Sequence, residues 1–195
     1  ASLWEGIIAK RGASNPTKQF NLSLDPDNEF YFWIYQSDGT LIDVYSDSGI
    51  VIDTWYHVLA VADGSILKLY VNGTLQTDTQ SYDGTFQDSG STTKIGENET
   101  HMWTGNIDEV AYWNSDQSGN KDTIYNGGTP DDISSLSPLS WWRMGEGDTY
   151  PTLTDSGSGG NDGTMTNMSA DDITGAQTTG IMDSMVSGDI VADVP

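Results

Sequence analysis

Trp55-Tyr-His-Val-Leu-Ala-Val-Ala-Asp-Gly-Ser-Ile-Leu-Lys-Leu-Tyr-Val-Asn-Gly73 holds two apolar runs, each the length of a β-strand, and two turn signals. The first run is Trp55 to Val61 and the second is Ile66 to Val71. Asp63-Gly64 turns the chain between them. Asn72-Gly73 ends the second run, and these two residues accept the positive φ angles of a tight primed hairpin turn. The stretch therefore predicts strand, turn, strand and hairpin, with a return strand over residues 74–79.

The same pattern extends outward. Gly6-Ile-Ile-Ala-Lys10 is a short apolar run. Gln19-Phe-Asn-Leu-Ser-Leu24 alternates apolar and polar side chains, as a half-buried strand does. Asp25-Pro-Asp-Asn28 is a turn by composition. Glu29-Phe-Tyr-Phe-Trp-Ile-Tyr35 is aromatic and β-branched, which suits a strand. Ser37-Asp-Gly39 turns into Thr40-Leu-Ile-Asp-Val-Tyr45. Thr92 to Gly96 and His101 to Trp113 close the series. Many short strands at close spacing predict an all-β sandwich or jelly roll of antiparallel sheets. Residues 1–113 form its core on this reading. Residues 114–138 are a connection in which Asp122-Thr-Ile-Tyr-Asn126 makes a short helical turn, near residues 120–126, stopped by Gly127-Gly128. Residues 139–195 bring late strands onto the same sandwich and end in an acidic segment. Gly163 to Ile173 and Gly180 to Ile190 echo each other at five of eleven positions, which predicts two similar edge strands or a unit packed between subunits.

Composition narrows the function. The chain has 195 residues, with 29 acids against 7 bases and a net charge of −22. So acidic a surface repels phosphate backbones and anionic lipid, which leaves no place for nucleic acid or a membrane as partner. No apolar run approaches a membrane span. There is no cysteine, hence no disulfide and no thiolate metal site.

Three segments together resemble a laminin G-like, concanavalin A-like domain. They are the opening stretch, Thr93-Lys-Ile-Gly96 with Trp103-Thr-Gly-Asn-Ile-Asp-Glu-Val-Ala-Tyr-Trp-Asn114, and Trp142-Arg-Met-Gly-Glu-Gly147 with Asp155-Ser-Gly-Ser-Gly-Gly-Asn-Asp-Gly-Thr164. The resemblance implies a concanavalin A-like jelly-roll β-sandwich of the lectin and glucanase superfamily. The third segment opens domains of that family but follows the core motifs here. A circular permutation, a start inside a module, or a second module from Leu139 would each give this order. The reading taken is a truncated or processed start, with the late segment packed on the same sandwich. The run Pro138-Leu-Ser-Trp-Trp-Arg-Met-Gly145 also resembles structural proteins of marine viruses and phages. It implies a place on a virion or other extracellular surface.

Candidate sites follow from residue chemistry and from the resemblance. Tyr31, Trp33 and Tyr35 share one face of their strand, and Phe30, Phe32 and Ile34 the other. One set belongs to the core. The other lies under a further layer or lines a carbohydrate platform, where rings meet pyranose C–H faces. The resemblance implies a Ca²⁺ site carried over to Asp108, Asp155 and Asn161, since oxygen ligands on a Gly-rich loop suit that ion. Asp108 and Glu109, as strand neighbours, would face opposite sides. Glucanases of this fold carry outer carboxylates on one strand face, but Asn106-Ile-Asp-Glu-Val110 has Asn and Val there. The expected function is a non-catalytic carbohydrate-binding or adhesion module, with a structural or decoration role in a virus particle as the alternative. The expected partners are a glycan, other virion or extracellular proteins, and a second copy of the chain.

Overall fold

A computed structural model describes residues 4–99, 101–173 and 191–194. Among them run fourteen strands and one α-helix. In chain order the strands are β1 (Glu5–Arg11), β2 (Lys18–Leu24), β3 (Phe30–Tyr35), β4 (Leu41–Tyr45), β5 (Val58–Ala62), β6 (Ile66–Val71) and β7 (Thr74–Leu75). There follow β8 (Gln80–Ser81), β9 (Thr93–Ile95), β10 (Val110–Tyr112), β11 (Ser140–Trp142), β12 (Thr152–Leu153), β13 (Gly163–Thr166) and β14 (Val191–Val194). The helix α1 is Lys121–Tyr125.

The strands build two layers. One is an eight-stranded sheet in the order β12-β13-β14-β9-β1-β2-β3-β4. The other is split: β5, β6, β7 and β8 pair in one sheet, and β10 pairs with β11 in another. Every pairing is antiparallel. The predicted all-β class of antiparallel sheets with one short helix is what the structure has.

Alternation assigns the core. Phe20, Leu22 and Leu24 of β2, Phe30, Phe32 and Ile34 of β3, and Ile42 and Val44 of β4 meet Leu67 and Leu69 of β6. Ile34, Val44, Leu67 and Leu69 have no exposed surface, and burying such a side chain contributes about 1.5–3 kcal/mol. A second cluster unites Ile95 of β9, Leu153 of β12 and Met165 of β13 with Trp142 of β11. The small β10–β11 sheet thus covers the half of the large sheet that β5–β8 leaves open. A third cluster packs Ile124 of α1 on Leu59, Val61 and Tyr70, so the helix covers the outer side of the β5–β6 hairpin.

Several expected extents shrink. The run from Trp55 starts pairing only at Val58. The return strand after the hairpin is two residues long. The long strand expected from His101 reduces to Val110–Tyr112, because Gly105 and Glu109 have φ of 139° and 52° and pairing cannot pass them. Leu139 to Met144 shortens to Ser140–Trp142, where Met144 takes φ 54°. The turn itself is as expected: Asn72 and Gly73 have φ of 49° and 74°. The second half of the internal echo, Gly180 to Ile190, lies outside the described residues up to its last position.

Candidate functional site

The outer face of the eight-stranded sheet collects the polar and aromatic residues that alternation turns away from the core. Register defines its rungs. Ala9, Asn21, Trp33 and Asp43 lie side by side across β1 to β4. Ser23, Tyr31 and Tyr45 form the next rung, and Tyr35 with Leu41 another. Gln19 shares this face with Asn21, two residues away on the same strand.

The three aromatic candidates therefore stand together on one face, yet they are not a bare platform. Tyr31 and Trp33 are only 8% and 6% exposed. The Tyr31 ring stacks on Tyr45 at 4.5 Å and meets Trp4 at 4.9 Å. Its hydroxyl donates to Asp43 Oδ2 at 2.9 Å. Burial, reinforced by that bond and the Asp43 charge, pushes the Tyr31 hydroxyl far above its ordinary range, so it stays a donor. Trp33 meets Tyr35 edge-on at 5.4 Å. The Arg11 guanidinium lies over Trp33 at 5.6 Å and the Lys18 ammonium over Tyr35 at 5.8 Å, both cation–π contacts. Tyr35 is the most open of the three rings.

On the same face as these rings lie three buried polar atoms with no hydrogen-bond partner among the described residues: Arg11 Nε, Gln19 Oε1 and Asn21 Oδ1. Asn21 is 1% exposed, and its amide donates to Ser23 Oγ at 2.8 Å while its oxygen stays unmatched. Such atoms are uncommon, because an unmet buried group costs about 1–3 kcal/mol. Three stand on neighbouring positions of one face, a donor and two acceptors that a hydroxylated ligand could satisfy once their side chains turn outward. Alternation around Asn21 and Trp33 places them in sequence, but their unmet state depends on the packing. At the sheet end beyond Arg11, Lys18 and Tyr35, an open cavity of about 330 Å³ is lined by Asn15, Pro16, Ser37, Asp38, Gly39 and Gln87.

The three calcium candidates behave differently. Asp155 Oδ1 accepts from the N–H groups of Trp141 (2.7 Å) and Gly157 (2.8 Å), and Oδ2 from that of Asn161 (2.8 Å). The Asn161 side-chain amide donates to Ser140 Oγ, and its backbone oxygen accepts from Trp142 Nε1. The two residues fold the Gly-rich loop against β11, where a Cβ on Gly157 would come within 2.6 Å of Ser140 Cα. The charges acting on Asp108 are those of Glu109, Glu146 and Arg143. Among the described residues no group of three or more His, Cys, Asp or Glu is placed to hold a metal ion. Asp155 and Asn161 are thus brought together on the Gly-rich loop, while the charges around Asp108 are those of the Glu109–Arg143–Glu146 cluster.

Asp108 and Glu109 do not alternate as strand neighbours, because both precede β10 and Glu109 is left-handed. Both are partly buried. Glu109 Oε2 accepts from Trp141 Nε1 at 2.5 Å, and Oε1 from Arg143 Nε and Nη2 at 3.1 Å each. Arg143 also pairs with Glu146 and lies over the Trp141 ring at 4.7 Å. This clamp ties β10 to β11, and no single stretch of sequence reveals it, since its partners stand 32 and 34 residues apart. Burial first, then the neighbouring Glu109 charge, pushes the Asp108 carboxyl up to about 6.

A scan of protein families matches residues 1–121, more than half of the chain, to the laminin G-type family described as the concanavalin A-like lectin/glucanases superfamily. The chain belongs to that superfamily. No curated protein and no solved structure matches the chain. The match covers β1 to β10 and therefore the whole of the outer face on β1 to β4. Membership makes a carbohydrate-binding or adhesion module the class of function to test.

Proposed function

We propose that the chain is a non-catalytic carbohydrate-binding or adhesion module of an extracellular or virion surface, with the outer face of β1 to β4 as its glycan site. The observation that carries this reading is the set of unmatched buried atoms, Arg11 Nε, Gln19 Oε1 and Asn21 Oδ1, beside Trp33 and Tyr35. Sugar hydroxyls are donors and acceptors at once and can meet all three when the side chains turn outward on binding. The rings supply walls rather than a flat stacking floor, because Arg11 and Lys18 already lie over them.

Two features support a binding role over catalysis. In sequence, Asn106 and Val110 take the positions of the outer carboxylates of the glucanase motif. The carboxylates between them are a clamp residue, Glu109, and its buried neighbour, Asp108. Reducing-sugar release from a polysaccharide would overturn the non-catalytic part.

The site is tested by glycan-array binding of the wild type and of Gln19→Ala, with circular dichroism as the folding control. A folded variant whose binding falls at least about tenfold, the weight of a lost ligand hydrogen bond in a dry site, supports it. Undiminished binding places the glycan elsewhere.

A second reading draws on one specific observation. Between β4 and β5 the chain leaves Val51 64% exposed, Ile52 78% and Trp55 49%. An apolar loop of this kind suits protein packing in a particle or assembly. Multimers in size-exclusion light scattering that dissolve on Ile52→Asp, in a protein that binds no glycan, would favour it.

A further inference from the structure

Of the seven Lys and Arg residues, four are in ion pairs: Lys68 with Asp63, Lys94 with Glu97, Lys121 with Asp122, and Arg143 with Glu109 and Glu146. Lys10, Arg11 and Lys18 have no ion pair among the described residues. Two of these three, Arg11 and Lys18, are cross-strand partners on β1 and β2, and both lean over rings of the outer face. In a chain with 29 acids, carboxylates outnumber cations fourfold, and a cation left unpaired beside a second one is the improbable arrangement. The Arg11 Nε is, in addition, buried without an acceptor.

We infer that the face takes an anionic saccharide, with the carboxylate or sulfate of one sugar unit seated against Arg11 and Lys18. This deepens the carbohydrate reading and rests on it. The division of labour follows from chemistry. Gln19 Oε1 and Asn21 Oδ1 are acceptors and call for ligand hydroxyls as donors. Arg11 and Lys18 are donors only, and a charged acceptor roughly doubles the strength of such bonds over a neutral one. Asp43, Asp25 and Asp78 lie towards the Tyr45 side of the face, where Asp43 accepts from the Tyr31 hydroxyl, and Glu97 is paired with Lys94, which lies across β1 from Ala9. Asp38 lies farther along, at the cavity on the sheet end, and its carboxylate accepts from Thr40 N–H. The negative field of the rest of the chain disfavours a long polyanion, so a short or sparsely charged chain fits better than a dense one.

The test is calorimetric titration of the whole chain with trigalacturonate, with its methyl ester, and with a sulfated galactan oligosaccharide. The acid and the ester share ring and hydroxyls and differ in the carboxyl charge and one methyl group per unit. At least about tenfold tighter binding of the trigalacturonate or of the sulfated sugar than of the ester is expected, with the stronger of the two naming the source of the anion. That advantage should weaken as salt rises and should collapse towards unity in Lys18→Gln. Arg11→Gln should act alike, and Lys18→Gln stands in for it should loss of the Trp33 cover unfold the protein. Equal affinity for acid, ester and sulfated sugar overturns the anionic preference and leaves the carbohydrate reading intact. So does a preference that survives in Lys18→Gln. Failure of all three sugars to bind overturns the anionic inference, and the glycan array then decides the carbohydrate reading separately.

Discussion

Asp155 shows how one carboxylate can organise a loop. Its two oxygens hold three backbone N–H groups, so Asp155→Ala should cost about 2–4 kcal/mol by leaving those donors unmet, read as a lower midpoint in urea unfolding. Melting in about 1 mM CaCl₂ against chelator tests the calcium trio: a rise of several degrees supports it, and an unchanged melting temperature counts against it. Asp108 is the opposite case, a carboxyl held near 6 by burial against an ordinary value of 3.8. Its folded form holds a proton more tightly than its unfolded form. Stability from this group is therefore fullest below pH 4 and is lost as pH rises through about 6. Asp108→Asn should raise stability at pH 7 by about 1–2 kcal/mol, after discounting for partial exposure, and should leave it unchanged at pH 3.5. A loss at pH 7 would mean that the Asp108 charge is needed. Such roles were out of reach of the sequence. The motif around Asp155 is visible in it, but whether its oxygens meet a cation or an N–H depends on how the Gly-rich loop folds onto β11.

Elements were more legible where local chemistry decides them. β2, β3, β4 and β6 follow from alternation, and Asn72-Gly73 adopts the primed turn its composition predicts. What the sequence hid is tertiary. Gly73 also sits against α1, where an added Cβ would come 2.9 Å from Tyr125 Cδ1. Gly73→Ala should thus suffer twice, from its positive φ and from Tyr125, and cost about 1–3 kcal/mol in denaturant unfolding. In a Tyr125→Ala background the steric part should vanish, so the cost should shrink; an equal cost in both backgrounds would assign it all to the turn. The short strands β8 and β12 escaped because two residues carry too little periodicity to read, and β13 was legible only through the internal echo. β10 was overextended because Glu109 adopts a left-handed conformation that no residue preference announces.

At the scale of the molecule, two layers enclose a shared core, and the large sheet is left with an outer face that is neither bare nor fully satisfied. The net charge of −22 sets its surroundings. Self-repulsion is screened by salt, so the melting temperature should climb between about 0.05 and 0.5 M NaCl; a fall would show that the ion pairs outweigh the repulsion. The class of fold and the three rings of the face were readable from residue order. The unmatched atoms and unpaired cations were not, because an absence of partners exists only once the chain has folded. The most direct measurement is an NMR titration of the isotope-labelled chain with a bound oligosaccharide. The expected result is shift changes concentrated on Arg11, Gln19, Asn21, Trp33 and Tyr35. Changes confined to residues 50–55 or to the Asp155 loop, with the β1 to β4 face silent, would contradict a glycan site on the large sheet.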